Sequence, residues 1–190
     1  MSILNSLKER RSYYNLSKEI SVSENEVIDI IEKVTEFTPD AFNSKSARVV
    51  VALGEMQDKL WDEIYNAFGG KVAKEKIDSF KAAAGTVLYF YDNDIVKGLQ
   101  EKFPAYADNF PVWANHANAM LQSNVWVALR ELNIGANLQH YNPVIDETVR
   151  KLFNIPESFV LVAQMPFGKI VEQLKEKEPE NIKDRVVIKK

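Results

Sequence analysis

Cysteine is absent from all 190 residues. That excludes thiol nucleophiles, cysteine-ligated iron–sulfur clusters, cysteine zinc sites and disulfides, and it fits a reducing cytoplasm. Histidine is nearly absent too. His116 and His140 stand far apart, outside any H-x-x-x-H or H-E-x-x-H spacing, which argues against a metal centre. The chain has no G-x-S-x-G elbow, no G-x-x-x-x-G-K-[ST] loop and no G-x-G-x-x-G fingerprint. Basic charge is not in excess: 24 Lys and Arg face 27 Asp and Glu, a net charge of −3, so no nucleic-acid partner is expected. The opening "MSILNSLKERRSYY" carries no long apolar core of a signal peptide. One stretch, residues 109–129, lacks any Asp, Glu, Lys or Arg. Asn115, His116, Asn118, Gln122, Ser123 and Asn124 interrupt it, however, and such groups are costly in lipid. It reads as a largely apolar helix inside a soluble protein, and no membrane is expected.

What is present suffices for an ordinary globular core, at 46% hydrophobic and 27% charged residues. A chain of this size buries roughly 70% of the surface that its unfolded form exposes and needs no covalent staples. Helices are predicted at residues 2–10 and from the capping pattern Ser23-x-x-Glu26 to the Thr38-Pro39 stop. More follow at 57–68, 71–83, 95–102 and 145–153. The long central helix has Pro111 in its first turn and Gly135 just beyond its end. Strands are predicted at 48–53, 86–91, 159–165 and 185–190. Strands separated by helices imply an α/β or α+β fold, a sheet of few strands with helices packed over it. We expect a single domain over residues 1–190. Its charged arm, residues 172–190, is expected to end in a short strand that reaches a partner subunit. The charge-free helix is apolar almost all round, which also points to burial in a dimer.

Four polar clusters fall between the packed segments. Arg10, Arg11 and Ser12 follow the first helix, where cations also suit the macrodipole. Asn43, Ser44 and Lys45 precede the first strand, in a composition that also makes turns. Gln139, His140, Tyr141 and Asn142 lie in "GANLQHYNP", and Lys183 and Arg185 lie near the C-terminus. Each alone has a structural explanation.

Together, "RRS", "TPDAFNSKSARVVV", "NIGANLQHYNP" and "KDR" resemble the nitroreductase family of flavin mononucleotide (FMN) proteins, in order and over essentially the whole chain. "FNSKSARVVV" and "LQHYNP" are similar to the compact subgroup of fungal and bacterial stress-response nitroreductases. The resemblance implies a nitroreductase-like three-layer α/β/α fold with a mostly antiparallel sheet, and a homodimer with the long helix at its centre. By the same resemblance, Arg10, Ser12, Lys183 and Arg185 hold the FMN phosphate, and Arg11 lies nearer the ribityl or pyrimidine side. Asn43, Ser44 and Lys45 come from the opposite subunit to the polar edge of the ring, although the family often has Gln in place of Lys45. The Pro-Ile-Glu-Gly-type segment of longer relatives is absent. Leu138, Gln139 and His140 fall in its place, so their contacts are assigned by position. Phe42, Trp113, Tyr141 and Phe167 are candidates for the ring's face, each also readable as a core aromatic. Gln122, on the charge-free helix, is a candidate cofactor contact or a group satisfied inside the dimer core. The implied activity is a ping-pong transfer of hydride from NADH or NADPH through flavin N5 to a nitroaromatic or quinone. The alternative is a non-catalytic flavin-binding regulator on the same scaffold.

Overall fold

The computed structural model describes residues 3–178 and 180–190. Among the described residues, seven α-helices surround one sheet: α1 (Ile3–Glu9), α2 (Glu24–Phe37), α3 (Gly54–Ala67), α4 (Lys74–Lys81), α5 (Asn93–Lys102), α6 (Phe110–Glu131) and α7 (Asp146–Phe153). The strands are β1 (Leu16–Ser17), β2 (Ala47–Leu53), β3 (Gly85–Asp92), β4 (Ile134–Ala136) and β5 (Phe159–Ile170). The sheet runs β1-β5-β3-β2, with β4 also paired to β5, and every pairing of named strands is antiparallel.

The period-2 pattern of β3 divides the molecule into three layers. Val87 and Tyr89 face the α2/α6 side with Val27, Ile31, Leu121 and Val125. Leu88 and Phe90 face the α3/α4/α7 side with Trp61, Ile64, Phe80 and Val149. This is the expected α+β, α/β/α arrangement. The predicted capping box forms at α2: the Glu26 N–H donates to Ser23 Oγ, and the Ser23 N–H donates to Glu26 Oε2. Thr38 is extended ahead of Pro39, where the sequence places the stop.

Three expectations need correction. Residues 185–190 form no strand in the chain. They follow a short 3₁₀ turn (Ile182–Asp184), and Val187 and Ile188 are each 76% exposed, because no edge of their own sheet receives them. Gly135 does not stop the central helix: Asn133, at φ 61°, makes the left-handed exit. Gly135 lies instead inside β4, a strand too short to leave a periodic signal. Finally, β5 continues through Pro166 to Ile170. The Pro166 carbonyl accepts from the Asn137 N–H, so the missing proline N–H faces the side where β4 has already ended.

Candidate cofactor site

Two of the four polar clusters are joined by a ladder of hydrogen bonds. After α1 the chain straightens, and Ser12 bridges Ala136 of β4. The Tyr13 N–H donates to the Ala136 carbonyl at 3.0 Å. Asn137 Nδ2 then donates to the Tyr13 carbonyl at 2.7 Å, and Gln139 Nε2 donates to Asn137 Oδ1 at 2.7 Å. Gln139 and Gln164 exchange backbone bonds of 2.7 and 2.9 Å, and the Tyr141 N–H donates to Gln164 Oε1. Asn137, Gln139 and Gln164 are buried, so this ladder rigidly holds the Arg10–Ser12 segment beside residues 137–141.

Arg10 is partly buried, with its guanidinium carbon 4.3 Å from the centre of the Trp126 ring on α6. Among the described residues no carboxylate pairs with it: Glu9 engages Arg130, and Glu131 accepts from Ser6. Burial, and secondarily the charge of Arg11, push the Arg10 pKa below its ordinary value. Arg11 turns the other way and donates to the Lys175 carbonyl at 3.2 Å. A hollow of about 460 Å³ separates Lys8, Arg11 and Tyr13 from Leu174 and Lys177 at the root of the C-terminal arm. An uncompensated cation with a like charge beside it is a site for an anion.

The third cluster lies at the other end of α6. Phe42, Asn43 and Lys45 have positive φ angles of 58°, 50° and 53°. Asparagine tolerates that conformation, whereas phenylalanine and lysine do so at a cost of about 1–3 kcal/mol each. Asp40 Oδ2 pins the loop by accepting from the Ser46 N–H and Oγ, both at 2.7 Å. Arg48 Nη1 donates to the Lys45 carbonyl at 2.6 Å. Phe42 is 52% exposed and lies near-parallel to Trp113, at 6.1 Å and 21°. Two adjoining hollows flank the loop. One, of about 510 Å³, is lined by Pro39, Phe42, Trp113, His116 and Met120. The other, of about 640 Å³, runs between α2 and β2 past Asn43, Lys45 and Arg48. Both volumes suit a cofactor-sized ligand.

Tyr141 and Phe167 do not belong to that aromatic face. Tyr141 packs among Trp61, Phe68 and Phe80, and Phe167, in β5, is fully buried in the core between the sheet and α2/α6. Gln122 is buried and donates to Asn118 Oδ1 at 2.7 Å, while Asn118 donates to the Phe90 carbonyl, so both amides find partners within the chain. Leu138 is half-buried and His140 is exposed. Lys183 and Arg185 lie in the exposed arm, where Arg185 pairs with Glu180 at 2.8 Å. Trp126 is the residue that sequence reasoning missed, because nothing in the linear sequence connects it to Arg10.

An antiparallel sheet thus lies between two helical layers, with a cation pocket and an aromatic slot at opposite ends of one long helix. The nitroreductase family model matches residues 7–169. HBN1 of Saccharomyces cerevisiae is 36% identical over 168 residues, covering 87% of this chain and 86% of that protein. The nitroreductase FRM2 of the same yeast is 34% identical over the same shares. Nitroreductase CinD from Lactococcus lactis, solved with chloramphenicol, superposes with a TM-score of 0.94 at 45% identity over the whole of both chains. The chain belongs to the nitroreductase family, a family of oxidoreductases. No described helix is long and apolar enough to cross a membrane.

Proposed function

We propose that the chain is an FMN-dependent NAD(P)H oxidoreductase that reduces nitroaromatics or quinones as a homodimer. The observation that carries this reading is Arg10, a partly buried cation without a described counter-ion, beside Arg11 and Ser12. The donor set fits FMN. A phosphate needs Arg10 and Ser12, joined by Lys183 and Arg185, and each charge-assisted bond contributes roughly 1.5–3 kcal/mol. The pyrimidine edge needs amide, hydroxyl and ammonium groups such as those of Asn43, Ser44 and Lys45. The flat ring needs faces such as Phe42 and Trp113, and Leu138, Gln139 and His140 border it from the loop after β4.

Geometry supports the dimer. Trp113 and Trp126 are 13 positions apart on α6, about 20 Å along the axis. The Asn43 loop and the Arg10 cation therefore cannot both touch one ring within a single chain. A two-fold axis across α6 would bring one chain's Arg10 end to its partner's Asn43 end. The exposed face of α6, with Val112, His116, Met120 and Ser123, carries no charge that such contact would bury. The edge of β2 and the groove beside it are open, and the apolar "VVI" of a partner's arm suits both. A cytoplasmic setting accords with the cysteine-free sequence.

When bound, FMN would supply the redox chemistry that links NADH or NADPH to the acceptor. The chain's own residues bind and orient. Arg10 and Ser12 fix the phosphate, the aromatic slot sets the plane of the ring and excludes water from one face, and Lys45 stabilises negative charge at the pyrimidine edge. CinD complexes with chloramphenicol and with 4-nitrophenol support nitroaromatics as acceptors. The test is spectroscopic. Purified protein should be yellow and should bleach with NADH or NADPH in the absence of oxygen. Yellow protein inert to both donors would mean a flavin-binding regulator, and colourless protein that ignores added FMN would overturn the reading.

A further inference from the structure

We infer that Trp126 is the positioning residue of the anion site, holding Arg10 flat and in register with Ser12 for a phosphomonoester. The inference rests on the FMN reading above. Stacking occupies the face of a guanidinium and leaves its N–H groups free in the plane, in the orientation that bidentate phosphate binding requires. The ring lies 4.3 Å beneath Arg10, and no described carboxylate competes for those donors. Trp126 is itself fixed, since its Nε1–H donates to the Ala136 carbonyl at 3.2 Å. That same carbonyl accepts the Tyr13 N–H, one residue beyond Ser12. A single β4 carbonyl thus ties together the platform under Arg10 and the segment that carries Ser12. Without the platform, a partly buried cation beside the like-charged Arg11 gains by swinging into water.

The test compares FMN with riboflavin, which lacks the phosphate, by titration of the apoprotein. Trp126→Leu keeps apolar bulk but removes the π face, and should weaken FMN binding about five- to tenfold while leaving riboflavin affinity unchanged. Trp126→Phe restores a face and should recover most of the FMN affinity, and it serves as the conservative variant should Trp126→Leu fold poorly. In an Arg10→Ala background, Trp126→Leu should cause no further loss of FMN affinity. Equal losses for FMN and riboflavin, or additive losses in the double variant, would make Trp126 a packing residue and overturn the inference. Intact FMN binding in Arg10→Ala alone would instead bring down the phosphate reading on which it stands.

Discussion

Gly135 lies directly opposite Gly168 across the β4–β5 pair, and neither position has room for a side chain. A Cβ on Gly168 would come within 2.5 Å of the Ser17 carbonyl oxygen and 3.0 Å of the Ala84 nitrogen, both backbone atoms. On Gly135 it would meet side chains, Ile170 Cγ1 at 2.6 Å and Leu16 Cδ2 at 2.9 Å. Side chains can yield where backbone cannot. Gly168→Ala is therefore expected to cost about 3 kcal/mol of stability and Gly135→Ala about 1–2 kcal/mol. Urea denaturation of the two variants checks the order, and equal costs would contradict it.

A second expectation concerns the opposite layer. Trp61 Nε1 donates to Thr86 Oγ1 at 2.9 Å, Thr86 Oγ1 donates to Gln57 Oε1 at 2.7 Å, and Gln57 Nε2 donates to the Phe80 carbonyl at 2.8 Å. Gln57, Trp61 and Thr86 are wholly buried. Thr86→Val keeps the shape but strands one donor and one acceptor, so it should destabilise by about 2–5 kcal/mol. A change below about 0.5 kcal/mol would mean that the network is not formed.

A third expectation is a pH dependence. Burial raises the Asp146 carboxyl above its ordinary 3.8, with Arg150 opposing and Glu147 adding to the rise. A raised carboxyl means that the folded state holds the proton more tightly than the unfolded one. Its cost is absent below the ordinary value and develops as pH rises through the folded value. Asp146→Asn should therefore gain stability over the parent at pH 7 relative to its standing at pH 3. Thermal melts of both proteins at the two pH values measure this, and an equal difference at both would refute it.

The α/β/α layering was legible because each main element carried its own signal. Ser23 and Glu26 announced α2, Pro111 opened α6, and "TVLYFY" read as the strand that became β3. β1 and β4 were not legible, since two or three residues show no period and their pairing with β5 is a tertiary event. "RVVIKK" misled because β-branched composition states a preference for pairing without supplying a partner strand. In the candidate site, charged and amide clusters marked Arg10, Ser12 and Asn43. The aromatics could not be sorted the same way, because Phe42 and Phe167 look alike in sequence, and only packing makes one 52% exposed and the other fully buried.

The last expectation follows from the span of α6 between the two halves of the site. Arg10→Ala and Asn43→Ala each damage one half, so either homodimer should bind FMN at least tenfold more weakly than the parent. Should each site draw Arg10 from one subunit and Asn43 from the other, a mixed dimer carries both lesions in one site and none in the other. Unfolding and refolding the two variants together should then restore parent-like FMN binding at about a quarter of the sites, since about half of the dimers are mixed. Should both residues serve the same site from one chain, every site in the mixture retains a lesion and no tight binding returns. Fluorescence titration of the refolded mixture with FMN separates these outcomes, and an absence of tight sites in confirmed heterodimers would refute the shared pocket.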